Sequence, residues 1–252
     1  MLEAGASRAV FLPDDGARLA ELVLDGHRVL VEHVGQDAMW WGAFVMAPWT
    51  SLLRRGEFEY DGATLRLEPR YPDDLWHGVA RRARWWPRDD GGLSAPLRSD
   101  WPLGGSAWLV PRLGATWFEL TIGVRAGECG MPAAVGWHPW FVRRLGSYPV
   151  ALVVSEDALA QERDDRDAPT GRWVTPTRQW NDCVRTDGPF DLVYGHTGTL
   201  RISSTGGYAT LFSMHEQDVC VEPVTSPAER MDDVLAPGQS IEITIRLDWI
   251  DG

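Results

Sequence analysis

The sequence predicts an all-β chain built as a large antiparallel β-sandwich, and three observations carry that expectation. Apolar residues recur with a period of two in many short runs. Asp-Gly pairs punctuate those runs twice, which is a strong short-range signal for a tight hairpin. No stretch carries a convincing long amphipathic helical pattern, while 26 Gly and 17 Pro break the chain at short intervals.

In chain order, Leu19 to Leu24 and Val29 to Val34 flank Asp25-Gly26 and read as one hairpin. Phe58 to Tyr60 and Thr64 to Leu67 flank Asp61-Gly62 and read as a second. Further strands are expected at Trp108–Val110, Thr116–Val124, Val150–Val154, Thr199–Ser203, Ala209–Met214, Val219–Glu222 and Ile241–Trp249. The last reads Ile-Glu-Ile-Thr-Ile-Arg-Leu-Asp-Trp, apolar on one face only. Three stretches lack such patterning and are expected to be long loops: Pro87–Gly105, Glu156–Asp182 and Ser226–Gly238. Long loops on a rigid β scaffold commonly carry binding residues. With no internal repeat or low-complexity segment, residues 1–252 are expected to form a single domain.

Composition narrows the function. The net charge is −12, an acidic balance that argues against nucleic-acid binding and against a polybasic membrane patch; all 24 basic residues are Arg, a compositional bias. No apolar run approaches a membrane span. Residues 1–8 lack the basic-then-apolar order of a secretion signal. Cys129, Cys183 and Cys220 are odd in number and lack C-x-x-C spacing, which fits a reducing cytoplasm. No metal-ligand spacing, G-x-S-x-G elbow or phosphate-binding glycine loop is present, so no metal is expected. The 14 Trp fill a large core in the main, but flat aromatic faces also stack on sugar rings.

Two segments carry chemistry. In Val219-Cys220-Val221-Glu222-Pro223 a carboxylate stands in an apolar strand, where it must be paired, hydrogen-bonded or turned to a cleft. Alternation sets Cys220 and Glu222 on one face. In Gly136-Trp137-His138-Pro139-Trp140-Phe141 an imidazole stands among aromatics. A carboxylate and an imidazole in apolar surroundings form a plausible general base and general acid. The competing readings are a sheet-edge Glu facing water and a satisfied core His. His77, in Asp74-Leu75-Trp76-His77-Gly78, precedes Arg81, Arg82 and Arg84, a cluster that reads as a solvated face more readily than as a phosphate site. Asp182, in Trp180-Asn181-Asp182-Cys183, suits either sugar hydroxyls or an Asx turn. His27, His33, His196 and His215 receive no role.

Together these segments resemble the aldose 1-epimerase (galactose mutarotase-like) family. Met46-Ala47-Pro48-Trp49 followed by Gly56-Glu57-Phe58-Glu59-Tyr60-Asp61-Gly62 is similar to an early family block. Trp76-His77-Gly78, His138-Pro139-Trp140-Phe141, Asn181-Asp182-Cys183 and Val221-Glu222-Pro223-Val224-Thr225 follow in the family's order. The resemblance implies a β-sandwich, no cofactor and a small sugar as substrate, with a monomer or homodimer as the assembly. It implies Glu222 as general base and His138 as general acid in ring opening and reclosure. It also implies sugar contacts from His77 and Asp182, with Trp49 and Trp140 as aromatic faces. One position departs: Leu52 stands where the early block carries a substrate-binding Arg. In a strand a shift of two keeps the face, so Arg54 is the expected replacement. Two alternatives stay open. One is a hexose 6-phosphate epimerase, with Arg54, Arg81 and Arg82 converging on the cleft. The other is a catalytically silent sugar-binding module.

Overall fold

A computed structural model describes residues 1–69, 71, 73–97, 101–177 and 180–252. The expected architecture is present. Two large antiparallel sheets, one of eleven strands and one of eight, share one apolar core. Among the described residues the helical turns are three short 3-10 segments, at Arg54–Gly56, Ala80–Arg82 and Gly195–Thr197.

The eight-stranded sheet is built on the longest strand, Ser240–Asp251, which pairs with Trp117–Arg125 on one side and Gly198–Ser204 on the other. Ile243, Ile245 and Leu247 of that strand are fully buried, as its one-sided apolar pattern requires. The eleven-stranded sheet runs through Ala43–Met46, Gly136–Val142, Asp218–Val224, Tyr208–Phe212 and Asn181–Arg185, in that spatial order. Alternation divides these central strands cleanly. Val45, Trp137, Phe141, Val219, Val221, Ala209, Leu211 and Val184 point into the shared core. Their neighbours in sequence, including His138 and Glu222, occupy the opposite face.

Both Asp-Gly hairpins form, between Arg18–Leu24 and His27–Arg28 and between Glu57–Tyr60 and Ala63–Arg66. The expected strand at Val29 to Val34 departs: only His27–Arg28 stays in the ladder. The following residues cross to the Gly136–Val142 strand, where the Val142 N–H donates to the Val29 carbonyl and the Val31 N–H to the Trp140 carbonyl. All three of the expected long loops also contain strands. Glu156–Asp182 holds the hairpin Leu159–Arg163 and Pro169–Val174 plus the start of Asn181–Arg185. That hairpin ends the eleven-stranded sheet, and its exposed, charged edge gives no apolar alternation to read. Ser226–Gly238 contains Asp233–Leu235, paired with Met131–Ala133. Pro87–Gly105 contains the strand Leu93–Pro96, while residues 98–100 lie outside the described residues. No helix among the described residues is long and apolar enough to cross a membrane.

Candidate active site

Register brings the two chemical segments together. Gly136 pairs with Val224, and Trp140 with Cys220, so the constant register sets His138 level with Glu222. On one side of that pair Phe44 stands opposite His138. On the other, Thr210 stands opposite Glu222, and Cys183 opposite Thr210. A row Phe44, His138, Glu222, Thr210 and Cys183 therefore crosses five strands on the face turned away from the core. The next row holds Trp140, Cys220, Phe212 and Asn181. Pro139 and Pro223 have no N–H to give the ladder, which restricts where hydrogen bonds form between these strands.

This face floors a cleft of about 800 Å³, within the roughly 300–1,000 Å³ of small-molecule sites. Loops around it carry Trp40, Leu52, Arg54, Trp76, His77 and Glu229 to its walls. His138 and Glu222 are almost completely buried, and Nε2 of His138 lies 3.5 Å from Oε1 of Glu222. The Phe44 ring stacks on His138 at 4.7 Å between centroids, and His77 meets it edge-on at 4.9 Å.

Burial governs the charges here. It pushes the Glu222 carboxyl up to about 8. It also pushes His138 well below its ordinary value, helped by His77 and by the Arg18 and Arg81 charges. The 3.5 Å contact has ion-pair spacing, yet desolvation opposes charge on either partner. Between these limits the pair holds one transferable proton, beyond the N–H that a neutral imidazole keeps. A neutral carboxyl beside a neutral imidazole carries the same protons as a carboxylate beside an imidazolium, so moving one proton across the contact interconverts them.

His77 has a different task. Its backbone is left-handed, with φ of 62°, and Gly78 follows because a Cβ there would fall 2.1 Å from the Ala47 carbonyl oxygen. Burial, then the Arg81 guanidinium, holds His77 down to about 3, so its ring is neutral. The Ser51 N–H donates to Nδ1 at 3.3 Å, which assigns the ring proton to Nε2. His77 thus offers the cleft a neutral N–H donor. Replacing it with Ala is expected to raise KM for the sugar about 3- to 10-fold while kcat changes less, the loss of about one neutral hydrogen bond. Steady-state kinetics would check this; a kcat collapse at unchanged KM would give His77 a chemical role instead.

The other expected site residues divide. Trp140 lines the cleft; its Nε1–H donates to the Met39 carbonyl at 2.6 Å, and its ring lies parallel to His215. Trp49 does not reach the cleft. It is buried in the core against Trp101, with Nε1–H donating to the Leu75 carbonyl. Asp182 also falls outside the lining, because it is level with core-facing Leu211 on the other side of the sheet. Asn181 and Cys183 take the cleft face in its place. Arg54 does line the cleft, though not by strand parity: it opens a 3-10 turn. Its Nε–H and one Nη–H donate to the two oxygens of Glu229, at 2.7 and 2.8 Å, and Arg163 binds the same carboxylate at 2.9 Å. Arg81 and Arg82 pair with Asp73. Leu52 lines the cleft as expected and bridges to Trp76.

Alternation alone would have given Asn181, and cross-strand register gives Thr210. Glu229 and Arg163 come from the stretches read as loops, where no pattern announced them. Trp40 and Trp76 stand at the mouth, 44% and 40% exposed; single exposed Trp residues on loops carry no periodic signal.

No family model matches the chain, and no curated protein matches it in sequence. Solved structures do. A structure of a putative aldose 1-epimerase from Escherichia coli K12 superposes with a TM-score of 0.79 at 18% identity, over 100% of this chain and 98% of that one. The chain has the galactose mutarotase-like fold. Galactose 1-epimerase from Lactobacillus acidophilus NCFM gives a TM-score of 0.80 at 13% identity, over 100% of this chain and 93% of that one. A galactose mutarotase-like protein from Lactobacillus casei gives 0.76 at 14%, over 98% of each chain. The fold that the sequence motifs implied is therefore present from end to end, at identities where fold outlasts sequence.

Proposed function

We propose that this protein is a cofactor-independent aldose 1-epimerase acting on an uncharged sugar. The observation that supports this most is the buried Glu222–His138 pair, 3.5 Å apart on the floor of the cleft. Glu222 takes the proton from the anomeric hydroxyl. The electron pair of that O–H bond forms the carbonyl as the C1–ring-oxygen bond breaks, and the ring oxygen takes a proton from His138. Rotation about C1–C2 presents the other face of the aldehyde, and the same steps run in reverse. Sugar hydroxyls that hydrogen-bond Glu222 favour its charged form, which passes the pair's proton to the imidazole.

Efficient exchange needs one proton on the pair. Since Glu222 holds its proton up to about pH 8, kcat/KM is expected to be level at neutral pH. It should fall roughly tenfold per pH unit well above 8, as that proton is lost. A rate that rises through pH 8–9 would contradict this assignment.

The lining favours a neutral substrate over a phosphosugar. Arg54, Arg163 and Arg166 are present, but Asp37, Asp73, Asp167 and Glu229 outnumber them before Glu222 is counted. Glu229 already engages two of the three Arg, and Arg81 and Arg82 are held by Asp73. Polarimetry on freshly dissolved α-D-glucose and α-D-galactose, run beside glucose 6-phosphate, tests this. Acceleration of a free sugar above the phosphate is expected. Acceleration of the phosphate alone would move the substrate class, and sugar binding without any acceleration would favour a silent module.

A further inference from the structure

His138, Cys220 and Glu222 each present one ligand atom, and the three atoms lie within 4.8 Å of one another. No linear motif announces this group. Cys220 and Glu222 are two apart on one strand and share its face, while His138 comes from the neighbouring strand at the level of Glu222. A tetrahedral centre with metal–ligand bonds of roughly 2.0–2.3 Å sets its ligands about 3.3–3.8 Å apart. The His138–Glu222 separation of 3.5 Å already falls in that range, and no pair of the three is more than about an ångström beyond it.

We infer that His138, Cys220 and Glu222 form a binding site for a borderline divalent cation such as Zn²⁺, with its fourth position open to the cleft. Three arguments converge. One thiolate, one imidazole and one carboxylate make a donor set suited to Zn²⁺ rather than to Mg²⁺ or Ca²⁺. Charge balances as well: a divalent ion with one thiolate, one carboxylate and a neutral imidazole has no net charge, which suits three ligands that are all at least 95% buried. Access is provided by His138 and Glu222, which line the cleft, whereas Cys220 is fully buried beside them and outside the lining. Binding releases the thiol proton, and the carboxyl proton where Glu222 carries it. If the epimerase reading holds, the ion takes both groups of the proton-transfer pair and so inhibits in competition with the sugar.

Co²⁺ reports thiolate ligation directly, by a ligand-to-metal charge-transfer band, with no need of enzyme activity. The probe is Co²⁺ added to Cys129→Ser protein under a non-thiol reductant, which removes the exposed thiol. The expected result is a band that saturates at one ion per chain and is displaced by Zn²⁺. Cys220→Ser, in the same background, should abolish the band and weaken Zn²⁺ binding by at least about tenfold. Cys183→Ser should keep the band. Cys220→Ala replaces the serine variant if circular dichroism shows that the latter is unfolded. No band, a band that survives loss of Cys220, or one that follows Cys183 would each overturn the site. A Cys220-dependent band in a protein without epimerase activity would uphold the site while refuting the proposed function. Where activity is present, Zn²⁺ should slow anomer exchange and EDTA should restore it.

Discussion

Glu222→Gln is expected to lower catalysed anomer exchange by about 10²- to 10⁴-fold, the usual range for a positioned proton-transfer group. The substitution keeps shape and hydrogen-bonding capacity but removes the ionisable oxygen. It should not unfold the protein. Glu222 in the unfolded chain titrates near its ordinary 4.5, whereas burial raises it to about 8 in the fold. Stability from this group is therefore complete below about pH 4.5 and is lost as pH rises through about 8. Gln has no such titration. Thermal unfolding should show the variant gaining on the wild type between pH 5 and pH 9, even as its activity is gone. An inactive variant that is also unstable at every pH would mean that Glu222 is chiefly structural.

His138→Asn is expected to cost a similar 10²- to 10⁴-fold. Asn fits between Phe44 and Glu222 without the ring, and it has no titratable nitrogen with which to exchange a proton. The ring also packs on Phe44 and lies near His77 and Trp140, so some loss of stability should accompany the loss of rate. The decisive comparison is the double variant. Two groups that share one proton act as a unit, so Glu222→Gln with His138→Asn should be little worse than either alone. Multiplying losses would mean that the two groups contribute independently.

The strands with alternating apolar residues were legible in the sequence because each buries one face against the core. Ser240–Asp251 shows it best. The central strands around the site are harder to read, because loops cover their second face. Every residue of Asp218–Val224 is buried, so its burial no longer alternates even though its chemistry does. Glu222 and His138 were legible as polar groups in apolar company, and their pairing follows from a register that only the folded sheet defines. Asp182 and Asn181 show the limit: adjacent residues face opposite sides, and a motif matched one position away selects the wrong side. Trp49 shows another, since a Trp beside a motif serves the core as readily as a cleft. Arg54 reaches the cleft by a turn rather than by strand parity, and its hold on Glu229 spans 175 residues of chain. Local pattern contains no trace of such a contact.

The most direct measurement of the central claim is exchange NMR of the anomeric protons of D-galactose and D-glucose at equilibrium, with wild-type protein and Glu222→Gln side by side. Cross-peaks between the α and β anomers should grow with wild-type concentration and fall to the uncatalysed level in the variant. Exchange at the same rate in both proteins, or no exchange above buffer with the wild type, would contradict that claim.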